Sequence, residues 1–386
     1  MHKLPSPDPR PRLAFVATED WFFASHFLPM LRAAHDAGFE PLVIARVRHH
    51  ASVIEAAGGR VIPLEAERRS LNPLAALSAT LRLARILRRE RVSLVHCIAL
   101  RAILVGGAAA RLAGIGPRVY AVTGGGYLSA HAGRKARFAA SRVRQALRGL
   151  LASPQTHYLF ENRDDPTSFG LDPDAANVSV IGGAGVDPEH FAALPQAPHP
   201  PLRIALVARM LWSKGVDTAV EAVSLARAQG ADVELSLFGE PDPSNPRAIG
   251  RELLEAWSQK PGIRWHGLSR DVRAVWRDHH LCCLPSRGGE GLPRTLLEAA
   301  ACGRGLLTTD VPGCRSFVRD GRDGFVVPAD DAQALAHHMV ALAGDPALVA
   351  AMGESARARV LEGYTEAHVR ERVAAIYRAL VKTERL

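Results

Sequence analysis

The stretch Leu284-Pro-Ser-Arg-Gly-Gly-Glu-Gly-Leu-Pro-Arg-Thr-Leu-Leu-Glu-Ala299 leaves one apolar run and ends inside another. Its glycine-rich middle and helically spaced tail read as strand, loop and helix in succession. Pro293 suits the opening of that helix, where a missing N–H costs nothing. Gly288, Gly289 and Gly291 let backbone N–H groups come close to a ligand. Glu290 stands at the loop end, and Glu298 follows eight residues later within the almost wholly apolar Leu296-Leu-Glu-Ala-Ala-Ala-Cys302. A carboxylate buried there needs partners, and vicinal sugar hydroxyls suit its two accepting oxygens. The plainer readings are a capping acid for Glu290 and one more solvated helix charge for Glu298.

A second segment of the same kind lies upstream. Ala208-Arg-Met-Leu-Trp-Ser-Lys-Gly215 follows an apolar run, and a helix is predicted to start near Gly215. Arg209, Lys214 and that helix start place two cations beside a cluster of backbone N–H groups, which favours a diphosphate. Taken alone, the two residues also read as surface charges on a loop.

Outward from these segments the pattern repeats along the whole chain. Short apolar runs at 12–18, 41–45, 60–64, 92–97, 119–123, 157–160 and 178–181 alternate with amphipathic helical stretches. The alternation restarts with runs at 203–208, 234–239, 263–266, 281–285, 306–309 and 325–327. Such alternation predicts βαβ units and parallel sheets covered on both faces. Between the two series, Leu194-Pro-Gln-Ala-Pro-His-Pro-Pro201 has no apolar periodicity and reads as a linker. The expected organisation is a Rossmann-like acceptor-side domain over 1–195 and a second Rossmann-like, donor-binding domain over 196–365. A C-terminal helix over 366–386 is expected to cross back to the first. Two doubly wound domains leave a central cleft at the carboxyl ends of both sheets, where ligands of open α/β sheets bind. With 386 residues and 47% hydrophobic content, each half can bury a core of its own.

These motifs in this order resemble the family 4 glycosyltransferases of the GT-B fold, a retaining family. Glu290 to Glu298 matches the E-x7-E signature and Arg209 to Lys214 the R-x4-K diphosphate clamp. Ala299-Ala-Ala-Cys-Gly303, Thr309-Asp-Val-Pro-Gly313 and Asp320-Gly-Arg-Asp-Gly-Phe-Val-Val-Pro328 follow at matching intervals. Four further segments, Asp242-Pro-Ser-Asn-Pro-Arg-Ala-Ile249, Val122-Thr-Gly-Gly-Gly-Tyr127, Phe160-Glu-Asn-Arg-Asp-Asp165 and Ile181-Gly-Gly-Ala-Gly-Val-Asp187, are similar to a bacterial subgroup. That subgroup extends undecaprenyl-diphosphate-linked sugars, as N-acetylgalactosaminyltransferases acting on diphospho-undecaprenol bacillosamine do.

The resemblance implies that Arg209 and Lys214 hold the diphosphate of a nucleotide-sugar, with a UDP-hexose or UDP-HexNAc expected. It implies Glu298 on the ribose and Glu290 on the transferred sugar, with Gly239, Gly291, Leu292 and Pro293 lining the donor pocket. Glu290, Arg209 and Lys214 are the catalytic candidates. No cofactor and no metal are expected, because two cations and a helix start already meet the leaving diphosphate. Asp172-Pro-Asp174 reads as a turn, not a metal site. The chain departs from the family in three places: the loop 286–290 is one residue longer than usual, Gly305 replaces a common proline, and Ser316 a common acid. Where many relatives carry a first-domain histidine facing the donor sugar, this chain has Gly124 and Gly125.

On the first domain the acceptor-side candidates are His26, His96, Arg101, Gly124 and Gly125, each at the carboxyl end of an expected strand or just beyond it. His26 reads equally as a helix-start histidine, and His96 also as a satisfied core histidine. The formal charge of +9 divides unevenly, with 24 basic against 16 acidic residues over 1–195 and 24 against 23 over 196–386. Residues 130–160 carry Arg134, Lys135, Arg137, Arg142, Arg144 and Arg148 without an acid. Phe138, Val143, Leu147, Leu150 and Leu151 can share one face of a helix over 137–151. A basic amphipathic helix suits an anionic membrane surface carrying a polyprenyl-diphosphate-linked glycan acceptor; it also suits a packed helix with a solvated basic face. Nothing resembles a nucleic-acid module, a signal peptide or a membrane span, so peripheral association with the cytoplasmic membrane face is expected. Five scattered cysteines read as reduced buried thiols. A nucleotide-sugar epimerase of similar architecture and a silent nucleotide-sugar binder stay open as alternatives.

Overall fold

The computed structural model describes residues 10–65, 73–124, 141–242 and 245–382. Two parallel sheets hold the described strands. The first comprises β1 (Arg12–Glu19), β2 (Glu40–Arg46), β3 (Arg60–Pro63), β4 (Val92–Ile98), β5 (Arg118–Val122), β6 (Thr156–Phe160) and β7 (Val178–Val180), in the order β3-β2-β1-β4-β5-β6-β7. The second comprises β8 (Leu202–Val207), β9 (Val233–Phe238), β10 (Ile263–Gly267), β11 (Leu281–Leu284), β12 (Gly305–Thr309) and β13 (Gly324–Val327), in the order β10-β9-β8-β11-β12-β13. Every residue of β5, β11 and β12 is buried, because helices cover both faces. That is why these strands read as unbroken apolar runs and not as alternations. Each fully buried leucine in them contributes about 1.5–3 kcal/mol of transfer free energy.

β1 pairs with β2 on one side and β4 on the other, and β8 pairs with β9 and β11. The chain therefore reverses its direction of winding once in each sheet. The reversal opens a crevice at the carboxyl ends of the central strands. Glu19 and Ile98 end the strands on the first domain's side, and Val207 and Leu284 on the second's. The segments carrying Arg209 and Glu290 leave from the latter pair.

The helix Glu366–Lys382 lies on the first sheet. Its Val369, Val373, Ala374 and Tyr377 are buried with Leu13, Phe15 and Phe39. The Tyr377 hydroxyl shares a 2.6 Å hydrogen bond with His96 Nδ1. His96, an acceptor-side candidate by position, is thus a wholly buried core residue. Burial holds its imidazole neutral, with the pKa driven down to about 3. Its strand end is roofed by a residue 281 positions away, so it cannot meet an acceptor.

The proline-rich stretch runs pinned along the second domain. Leu194 N–H donates to the Cys302 carbonyl at 3.2 Å, and Arg304 Nη2 to that of Pro195 at 2.7 Å. The chain's return lies close by: Val186 N–H donates to Tyr364 O at 3.1 Å and Glu366 N–H to Val186 O at 3.0 Å.

The basic segment departs from a regular amphipathic helix. From Ser141 it is helical, and it loosens to π pitch over Ala146–Leu150. Leu147 and Leu151 are buried, whereas Leu150 is 62% exposed, contrary to the face expected for it. The wider π turn rolls Leu150 off the face on which Leu147 and Leu151 are buried. Gly125, Arg134, Lys135, Arg137 and Phe138 lie outside the described residues.

Candidate active site

β8 delivers Arg209 to the crevice, and the short turn Trp212–Lys214 delivers Lys214 before the helix Val216–Ala228 begins. Lys214 Nζ meets Glu290 Oε1 at 2.5 Å, and the Ser286 hydroxyl lies 2.7 Å from the same oxygen. Both partners of this ion pair are largely buried, with side chains 18% and 11% exposed. A contact so shielded holds both groups in place far better than a surface pair would. Arg209 is more open: its Nη1 reaches Asp242 Oδ2 at 3.2 Å with half of its side chain exposed. The loop between is tied down by Arg287, which forks onto Asp217 at 2.7 and 2.8 Å. Gly239 follows β9 directly, its N–H donating to Gly267 O at 2.7 Å.

Pro293 caps the helix Arg294–Ala301, and Glu298 lies on that helix's buried face. Only 8% of Glu298 is exposed, and its partner is Arg294 Nε at 2.6 Å. Burial pushes its carboxyl pKa up, and Arg294 works against that shift. It is not a solvated helix charge. Arg294 also donates through Nη1 to the carbonyl of Ser25, in the first domain. The motif reading passed over Arg294, although it stands four residues before Glu298.

The first domain faces this edge with four groups. Gly124 has φ +86°, and a Cβ there would lie 2.7 Å from Gly291 N. Only a bare backbone fits that approach. His26, at the end of the helix Asp20–His26, is half-buried with Nδ1 2.6 Å from Ser25 Oγ. Burial, with Arg294 and Arg209 nearby, lowers its pKa to about 4 against a backbone hydrogen bond that favours the cation. It is therefore neutral near pH 7, in the field of the second domain's cations. Glu161, just past β6, accepts the Leu292 N–H at 2.8 Å. Asn162 Nδ2 reaches Gly291 O at 3.4 Å. Neither Glu161 nor Asn162 was singled out as a site residue. Their position immediately after a strand, at its carboxyl end, was the available signal.

Arg101 is half-buried at the second position of the helix Leu100–Ala113. Asp172 accepts the Asp174 N–H at 3.0 Å and Arg163 pairs with Asp174 at 2.6 Å, which makes the segment a turn. Among the described residues no group of three His, Cys, Asp or Glu side chains could hold a metal ion. An open cavity of about 640 Å³ lies on the first domain, bordered by Arg144, Gln145, Arg148 and Thr167. Arg144 Nη1 donates there to Ser168 O at 3.0 Å. Among the described residues no single helix is long and apolar enough to cross a membrane.

Similarity to known proteins follows the two domains. A model of the family "Glycosyl transferases group 1" matches residues 201–345, and one of the family "Glycosyl transferase 4-like" matches residues 12–152. The putative colanic acid biosynthesis glycosyltransferase WcaL of Escherichia coli is 31% identical over 52% of this chain, a match spanning about half (51%) of its own length. A Campylobacter jejuni enzyme is 25% identical over 92% of this chain and 96% of its own length. It is the N,N'-diacetylbacillosaminyl-diphospho-undecaprenol alpha-1,3-N-acetylgalactosaminyltransferase. Among solved structures, Anabaena HepE with UDP-glucose superposes with a TM-score of 0.75 at 17% identity, over 95% of this chain and 99% of its own. With both domains matched and the two-sheet architecture shared, the chain belongs to the family 4 glycosyltransferases of the GT-B fold.

Proposed function

We propose that this glycosyltransferase moves a hexose or N-acetylhexosamine from a UDP-sugar to a lipid-diphosphate-linked glycan, in the building of a bacterial surface polysaccharide or glycan. The observation that carries the reading is the meeting of Arg209, Lys214, Glu290 and Glu298 at one sheet edge, opposite Gly124 and His26. In this reading Arg209 exchanges Asp242 for a donor phosphate, and Lys214 stays between phosphate and Glu290. Both cations then meet the negative charge that grows on the leaving diphosphate. Glu298 turns from Arg294 to the ribose hydroxyls, and Glu290 takes the hydroxyls of the transferred sugar. The backbone of residues 291–293 forms the pocket wall.

The acceptor hydroxyl attacks from the face the diphosphate leaves, which gives retention of configuration. Held geometry and fixed charge supply the rate, with no strong nucleophile, no cofactor and no metal required. His26 is a first-domain group within this charge field. As a neutral imidazole it adds no third cation. The acceptor lipid is presented at the inner face of the cell membrane, where Arg142, Arg144 and Arg148 meet anionic head groups together with Arg134, Lys135 and Arg137. The C. jejuni relative, whose acceptor is lipid-linked by name, supports this acceptor class.

The test is a radiolabelled transfer screen of purified protein, a panel of UDP-sugars and an extract of polyprenyl-diphosphate-linked sugars. Label entering the lipid phase from one donor is the expected result. Label that stays on the nucleotide as an epimer, or is bound without turnover, would refute the transfer reading.

A further inference from the structure

Glu161 is a first-domain carboxylate with its partner in the second domain. Its Oε2 accepts the Leu292 N–H at 2.8 Å, and a Cβ on Gly291 would lie 1.7 Å from that oxygen. Asn162 beside it is fully committed. Its Oδ1 accepts the N–H groups of Asp164 and Asp165 at 3.1 and 2.9 Å, and its Nδ2 donates to Asp165 Oδ2 at 2.9 Å while facing Gly291 O at 3.4 Å. Gly124 closes the third side, its backbone against that of residues 289–291. The segment that carries Glu290 is thus gripped from the first domain at consecutive residues, by a carboxylate, an amide and a bare backbone. None of these three contacts stabilises either domain's own core.

We propose that Glu161 is a positioning residue for sugar transfer, fixing from the first domain the backbone of residues 290–292 so that the donor loop reaches working geometry only when the domains close. The proposal rests on the reading of that loop as the donor pocket. Glu161 touches the loop and not the substrate; it acts through Leu292 and Glu290.

The latch is also sensitive to protonation. Burial raises the Glu161 pKa from its ordinary 4.5 to about 7; the Leu292 N–H opposes the rise, and Asp165 and Glu290 add to it. Among the described residues those two acids are the charged groups that face it, one on its own side of the interface and one across it. Lys214 is committed to Glu290. A pKa raised by closure means that closing takes up a proton. Closure is therefore favoured below the ordinary value and weakens as pH rises from 4.5 through about 7.

Two readouts test this. The five native cysteines are buried, so dyes on Glu55→Cys and Glu252→Cys report the distance between domains by energy transfer. Transfer kinetics give kcat and donor KM. Glu161→Gln keeps an acceptor for Leu292 and loses the charge; Glu161→Ala loses both. The expected result for Glu161→Ala is a longer inter-dye distance at pH 6 and a fall in kcat of about tenfold, with donor KM within about threefold. Glu161→Gln should match the wild type at pH 4.5 and stay closed as pH rises to 8.5, where the wild type loosens. An unchanged distance and kcat in Glu161→Ala, or a wild-type pH response in Glu161→Gln, would overturn the proposal. Calorimetry with UDP separates the two readings. If the wild type fails to bind UDP, the donor-pocket reading falls, while the dye distances still decide the latch.

Discussion

Glu298→Gln keeps the side chain's volume and removes its charge at a position only 8% exposed. The charge is unfavourable for the fold, since burial raises the carboxyl's pKa despite Arg294 at 2.6 Å. Arg294 is 36% exposed and can turn its guanidinium to water once the acid is gone. Loss of this pair therefore leaves no buried orphan charge, which is the usual source of a large penalty. The melting temperature should stay within about 3 °C of the wild type. Nucleotide binding should behave differently. A carboxylate holding two ribose hydroxyls makes two charge-assisted hydrogen bonds, each about 1.5–3 kcal/mol, whereas the amide offers one neutral acceptor at about 0.5–1.5 kcal/mol. Displacing Arg294 absorbs part of the wild-type gain, which leaves a loss of about 1.5–3 kcal/mol. That loss is a rise of roughly tenfold to a hundredfold in the Kd for UDP. Calorimetric titration with UDP beside a thermal melt measures both quantities on one sample. A Kd within about threefold of the wild type, with the fold intact, would refute the ribose assignment.

Lys214→Ala should weaken UDP binding by at least about tenfold and also lower the melting temperature, because among the described residues Glu290 then keeps only Ser286 as a partner; unchanged affinity would remove Lys214 from the clamp. Neutralising Arg142, Arg144 and Arg148 together should reduce co-sedimentation with vesicles rich in anionic lipid, and more so at low salt; undiminished binding would dismiss the segment as a docking surface. His96 is neutral when folded and has an ordinary pKa of 6.5 when unfolded, so its stabilisation is complete above 6.5 and is lost as pH falls from there towards about 3. At pH 5 the loss is about 2 kcal/mol. His96→Asn, which can keep the Tyr377 contact, should flatten the fall in melting temperature between pH 7 and pH 5.

The strands were legible because helix-covered parallel strands are short apolar runs, and no partner outside the run is needed to see them. Arg209, Lys214, Glu290 and Glu298 were legible as a group for a related reason. Each lies in a continuous strand–loop–helix segment, where local sequence alone delivers it to a sheet edge. What the sequence hid comes from contacts between distant segments. His96 looks the same at a strand end whether or not a helix covers it, and its cover is Tyr377. Arg294 reads as a helix charge until Ser25 is set against it. Glu161 and Leu292 meet only once two domains are docked. Leu150 was misplaced because a period of 3.6 does not hold through a π turn.

The chain's two crossings between domains lie side by side at Val186 and Thr365, and the seventeen residues of Glu366–Lys382 complete the core of the half with which the chain began. The protein is therefore not two beads on a string. Cutting it in the proline-rich stretch would free a first half with Phe15 and Phe39 stripped of their cover, and a second half trailing a helix whose apolar face has nothing to sit on. Exchange of donor or acceptor halves between relatives, by recombination or by engineering, succeeds only if the final helix travels with the first half. The unit that can be traded is discontinuous in sequence, and its junctions fall on either side of the donor domain.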